Sequence, residues 1–109
     1  MNDGERRARR HYRLRGYRIL DTNVRAGGNE LDLVVRRGRR LVFCEVKQKG
    51  GEGYGDPLEM VDAEKRRRVR RAAAAWLAVH PEAARLDVTI EVAAVRGGRV
   101  ERIVDDLST

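Results

Sequence analysis

The sequence predicts a mixed α/β sheet with helices packed on it, in the order helix, three strands, helix, two strands. Three observations lead there. The run ELDLVVRRGRRLVFCEVK (30–47) alternates apolar and polar residues on both sides of one glycine turn, the pattern of two paired strands. After it, Val61, Val69, Ala72, Ala73, Trp76 and Leu77 recur at helical spacing. Two more strand-like runs, LDVTIEVAAV (86–95) and RVERIV (99–104), flank the turn residues Gly97 and Gly98. A chain of 109 residues suits one core, so residues 1–109 are read as a single domain, with no internal repeat or linker.

Each element has a local cause. Residues 2–15 read as a helix: Asn2 can cap it, Glu5 falls in capping-box position and Gly16 ends it. YRIL (17–20) is a first strand, and TNVRAGGN (22–29) reads as a loop because turn formers dominate it. QKGGEGYGDP (48–57) is a glycine-rich connection. A long helix then runs from Leu58 to about Val79, closed by His80 and Pro81.

Composition narrows the function. The chain is 41% hydrophobic and 38% charged, enough apolar material for a core under an unusually ionic surface. No apolar run at the N-terminus resembles a signal peptide and no later one could span a bilayer, so a cytoplasmic location without membrane attachment is expected. The single Cys44 excludes an intrachain disulfide and reads as a small buried thiol. His11 and His80 have no cysteine near them, which argues against zinc. A formal charge of +7 favours a polyanionic partner, nucleic acid first, because arginines cluster in RRARRHYRLR (6–15) and KRRRVRR (65–71). The competing explanation is a composition rich in Arg, Ala and Gly with no binding role.

Gly38 at the first central position suits a two-residue type II′ turn, which fixes the hairpin register. Counting outward pairs Arg37 with Arg40, Val35 with Val42, Val34 with Phe43, Leu33 with Cys44, Asp32 with Glu45, Leu31 with Val46 and Glu30 with Lys47. One face is then wholly apolar: Leu31, Leu33, Val35, Val42, Cys44 and Val46. The other carries Val34 and Phe43, then Asp32, Glu45, Glu30 and Lys47. Asp32 opposite Glu45 is a like-charge pair that needs compensation. Mg²⁺ between the carboxylates would supply it, and Lys47 on the same face could hold an attacking water or stabilise charge on a phosphate. The bland alternative is a solvated strand end with cross-strand ion pairs.

Two further positions bear on this cluster. Lys65 lies inside the apolar stripe of the long helix, where it either snorkels to water or reaches the carboxylates or a substrate phosphate. Glu5 shares a helix face with Ala8 and Tyr12, so it serves either the capping box or the site.

Taken together, Glu5, GYRIL (16–20), Asn23, Arg25, NELDLV (29–34), LVFCEVK (41–47), YGDP (54–57), Lys65 and LDV (86–88) resemble the YraN family across nearly the whole chain. These are small bacterial proteins with an endonuclease-like fold, similar to archaeal Holliday-junction resolvases and to the PD-(D/E)XK nucleases. The resemblance implies a restriction-endonuclease-like mixed β-sheet flanked by helices. It implies Asp32 and Glu45 as Mg²⁺ ligands, with Mn²⁺ as a substitute, and the carbonyl of Val46 completing the metal shell. Lys47 would be the catalytic lysine and Glu5 the first-helix acidic residue. Two departures from the family pattern are Asn29, where Gly is usual, and Gln48-Lys49, where Thr-Arg is typical; Asn tolerates the left-handed backbone that a glycine there would provide.

The function expected is Mg²⁺-dependent endonucleolytic cleavage of branched or distorted DNA, with a non-catalytic nucleic-acid-binding module of the same fold as the alternative. Lys65, Arg66, Arg67, Arg25 and Tyr54 are the candidate nucleic-acid contacts, Tyr54 as a stacking group on an unpaired base. The plain alternative for the loop holding Tyr54 is a surface connection. An adaptor role for that loop is a third reading. Cutting two strands would require two sites and so a homodimer.

Overall fold

The first helix, α1 (Asp3–Leu14), ends as its glycine predicts: Gly16 has φ +87°, and the amides of Gly16 and Tyr17 return to the carbonyls of Arg13 and Tyr12. This is a computed structural model, and it describes residues 3–49 and 63–104, with side chains omitted at 49 and 101–104. Asn2, the expected cap, lies outside the described residues.

β1 (Arg18–Ala26) is longer than expected and absorbs most of the stretch read as a loop. It persists because it pairs with β2 (Asn29–Arg37) up to Ala26–Asn29, and only Gly27 and Gly28, both at positive φ, form the turn. The turn-forming character of Thr22 and Asn23 is spent inside the strand instead. The register slips between Ile19 and Asp21, and Asn23 takes φ +48°. Asn29, by contrast, is not at positive φ; its side-chain Nδ2 donates to the Gly27 carbonyl.

β3 (Arg40–Lys49) follows the turn at Gly38, whose φ of +60° fits the type II′ expectation. The register expected from Arg37–Arg40 to Leu33–Cys44 is observed. α2 (Ala63–Ala78) then crosses to β4 (Asp87–Arg96), which runs parallel to β3, and β5 (Arg99–Val104) turns back antiparallel after Gly97 and Gly98. Sheet order is β1-β2-β3-β4-β5. Residues 58–62, including Val61, lie outside the described residues.

The sheet is buried on both faces. Under α2 lie Val34, Leu41, Phe43, Ile90 and Val92 with Val69, Ala72, Ala73 and Trp76. Phe43 meets Trp76 edge to face at 5.5 Å, and His80 stacks on the outer side of the indole at 3.7 Å. Under α1 lie Leu33, Val35, Val42, Cys44 and Ala93 with Ala8, Tyr12 and Tyr17. Cys44 is fully buried, and burial pushes its thiol well above the ordinary range, which fits the inert reading.

One buried polar group crosses this second face. Glu91 in β4 is 5% exposed and accepts a 2.8 Å hydrogen bond from the Tyr12 hydroxyl, with the Arg40 guanidinium 3.4 Å from its other oxygen. Burial, then the neighbouring Cys44 and Glu91, raise the tyrosine far above its usual range, so it remains a donor. Tyr12→Phe leaves a carboxylate oxygen buried without that donor and is expected to cost about 1.5–3 kcal/mol in urea unfolding. A loss below about 0.5 kcal/mol would mean that the oxygen is otherwise satisfied.

Candidate active site

The expected two-residue alternation breaks at Asp32. Leu31 joins the cluster under α2 while Leu33 joins the one under α1, and the β2–β3 ladder stops at Leu33–Cys44. The expected pairs Asp32–Glu45, Leu31–Val46 and Glu30–Lys47 are therefore not ladder pairs, and Leu31 does not share the Leu33 face. The cause is a side chain competing with the backbone. Asp32 Oδ2 accepts from the Val46 amide at 2.7 Å, taking the place of a β2 carbonyl. In an extended strand the amide and carbonyl of one residue leave by the same edge, so the Val46 carbonyl also faces this gap.

The gap gathers the predicted residues. Glu45, 4% exposed, lies with Oε1 3.0 Å from Lys65 Nζ and 3.5 Å from Lys47 Nζ. Lys65 comes from the first turn of α2, one turn before the buried Val69, and Lys47 follows Glu45 by two residues on the same strand face. Asp32 is half-buried, and its carboxyl is pushed up to about 7 by burial, then by the charge of Glu45, with a smaller push from Glu5. Glu5 thus reaches the same site from α1, in half-buried surroundings.

What sets Glu5 there is a contact that sequence reasoning missed. Gln48 Oε1 accepts from the Gly4 amide at 3.0 Å, tying the start of α1 to the end of β3. A Cβ on Gly4 would sit 2.5 Å from that oxygen, so glycine allows the close approach. The two residues are 44 positions apart, and no local pattern links them.

The candidate contacts divide. Arg25 is exposed on β1 in register with Glu30, and Arg67 is exposed on α2. Arg66 is half-buried, with its Nε lacking a hydrogen-bond partner among the described residues. Tyr54 lies outside the described residues. Among the described residues no group of three or more His, Cys, Asp or Glu is placed to hold a metal ion, so any cation here would rest on the Asp32 and Glu45 pair with waters and phosphate oxygens. No helix among the described residues is long and apolar enough to cross a membrane.

Among the described residues the fold and site define an α/β protein with a mixed five-stranded sheet, two α-helices and a gap between strands that holds two carboxylates against two lysines. The chain belongs to the Uncharacterised protein family UPF0102, whose model matches residues 4–92 and so spans Glu5, Asp32, Glu45, Lys47 and Lys65. It is 52% identical to a UPF0102 protein of Frankia casuarinae over 83 residues, covering 76% of this chain and 70% of the relative. It is 49% identical to one of Frankia alni, covering 80% and 75%. It is 46% identical to one of Beutenbergia cavernae, covering 84% and 77%.

Proposed function

We propose that this protein is a Mg²⁺-dependent endonuclease that hydrolyses phosphodiester bonds of branched or distorted DNA, with the restriction-endonuclease-like fold and the PD-(D/E)XK site that its resemblance to the YraN family implies. The observation that carries the reading is the crowding of Asp32 and Glu45 at one strand gap with Lys47 Nζ beside them. A site that raises one carboxyl by burial and a second charge is short of positive charge, and a hard dication relieves that shortage. Asp32, Glu45 and the Val46 carbonyl are oxygen donors of the kind Mg²⁺ takes, and Mn²⁺ accepts the same set. When bound, such an ion would polarise a phosphate oxygen and lower the pKa of a water.

The remaining work falls to the chain's own residues. Lys47, 22% exposed at its side chain, would stabilise charge building on a phosphate or orient the attacking water. Lys65 pairs with Glu45 and would also meet a substrate phosphate, and Glu5 adds a third carboxylate at the edge. Arg25, Arg66 and Arg67 supply phosphate contacts, and resolving a junction symmetrically calls for two copies of the chain. One observation favours the second reading, a non-catalytic nucleic-acid-binding module. Both lysines already satisfy Glu45 as ordinary ion pairs.

Incubation with linear, flapped and four-way-junction DNA in Mg²⁺, Mn²⁺ or EDTA tests the proposal. Cleavage that needs the metal and prefers a branched substrate is expected. Binding without cleavage in every metal would leave the non-catalytic module.

A further inference from the structure

The carboxylate gap uses one flank of α1, through Glu5. The opposite flank carries a different feature. At 3.6 residues per turn, Arg7, Arg10, His11 and Leu14 line that flank away from Glu5 and Arg9. Between it and the turn joining β4 to β5 lies an open cleft of about 640 Å³, to which the exposed Arg99 contributes from the far wall. A second cleft of about 350 Å³ shares His11 and Arg15 with the first and continues toward the β2–β3 turn, where Arg37 and Arg40 line it.

The walls are built to hold guanidinium groups. Arg7 Cζ lies 2.9 Å from where a Cβ on Gly98 would sit, so the absence of a side chain there lets the guanidinium rest on the turn, while Asp3 fixes its other side at 2.7 Å. Arg37 donates to the Arg15 carbonyl at 2.9 Å and lies over the Tyr17 ring at 4.8 Å. Among the described residues the one carboxylate lining the clefts, Glu91, is buried and already engaged by Tyr12 and Arg40. His11 is held below the ordinary histidine value by burial and by Arg15, so the arginines carry the charge at neutral pH. From Arg7 to Leu14 the helix rises about 10 Å, the axial length of about three phosphates on one strand of duplex DNA.

We propose that this arginine-lined trough along the outer flank of α1 is a second nucleic-acid backbone site, which binds the sugar-phosphate chain of a DNA segment other than the one at Asp32 and Glu45. It rests on the nucleic-acid reading above and deepens it by naming where a second arm of a branched substrate is held. Arg40 and Glu45 are five strand residues apart, about 17 Å, so the far end of the trough is well clear of the carboxylates. Its contacts are to phosphate, so it adds affinity and orientation without sequence preference.

The test is binding of the full chain to a labelled four-way junction in EDTA, followed by fluorescence anisotropy across a salt series. Arg10→Gln with Arg99→Gln removes two exposed cleft charges. Arg18→Gln with Arg85→Gln removes two exposed charges elsewhere. The first pair should flatten the slope of log affinity against log salt by about 2 and weaken binding about tenfold or more at moderate salt, while the second should leave the slope within about 0.5 of wild type. Equal effects from both pairs would reduce the trough to general charge and overturn the proposal. So would an Arg10/Arg99 double variant that binds like wild type, or a wild type that does not bind the junction. Cleavage in Mg²⁺, followed in parallel, separates the two readings. Trough-dependent binding without cleavage sinks the nuclease alone, and cleavage with trough-independent binding sinks the trough alone.

Discussion

Asp32→Asn is expected to abolish metal-dependent cleavage and, in the same metal-free sample, to make the protein more stable at pH 8. The two effects share one cause. The Asp32 carboxyl is raised to about 7 from an ordinary value of 3.8, by burial first and then by Glu45. Between those values the folded state holds a proton that the unfolded state has released, so stability falls as pH rises through the window and stays reduced above it. Asparagine removes the charge but keeps an oxygen to accept from the Val46 amide, which now donates over 2.7 Å. The gain should be about 2–4 kcal/mol at pH 8, the full shift being reduced by the partial exposure of Asp32. That is a rise in melting temperature on the order of 10–20 °C for a domain of this size, and it should vanish near pH 4. Adding Mg²⁺ should then stabilise wild type and leave the variant unmoved. Thermal melts at pH 4 and pH 8, with and without metal, check each part; a variant less stable than wild type at pH 8 would mean that Asp32 serves the fold as an ordinary hydrogen-bonding carboxylate.

Lys47→Met is the second large effect. Methionine keeps the unbranched stem that packs along β3 and removes the ammonium 3.5 Å from Glu45 Oε1. If Lys47 stabilises charge that develops only during phosphodiester cleavage, its loss should lower the single-turnover rate about 10²–10³-fold, with junction affinity close to wild type. Lys65→Met provides the contrast. Lys65 is the nearer partner of Glu45, at 3.0 Å, so its removal should disturb the carboxylate and weaken metal binding as well as the rate. A Lys47→Met variant that loses affinity and rate in equal proportion would make Lys47 a phosphate contact rather than a group acting on the reacting atoms.

The central hairpin was legible because its signals are local. Gly38 fixed the turn, and alternation on both sides admitted one register, observed from Arg37–Arg40 to Leu33–Cys44. The apolar stripe of α2 likewise put Lys65 on the face where it meets Glu45, which its spacing allowed alongside a snorkel to water. What escaped was each place where a side chain replaces a backbone partner or links distant segments. The Asp32 carboxylate ends the ladder it was expected to continue, and alternation alone cannot reveal that competition. Thr22 and Asn23 suggested a loop by their intrinsic preference, but pairing with β2 held them in a strand. Gln48 with Gly4 and Tyr12 with Glu91 join residues 44 and 79 positions apart, and only the packed sheet shows them. The basic run of α1 suggested a polyanionic partner from sequence alone, but its division into a flank carrying Glu5 and a flank facing Gly98 needed the folded helix.

The most direct measurement is single-turnover cleavage of a four-way junction by wild type and Asp32→Asn in Mg²⁺, at protein concentrations where both occupy the DNA fully. The proposed site predicts cleavage by wild type that EDTA stops, and none above background by the variant despite equal occupancy. Equal cleavage by both proteins would contradict it, since the carboxylate that crowds Glu45 would then have no part in the chemistry.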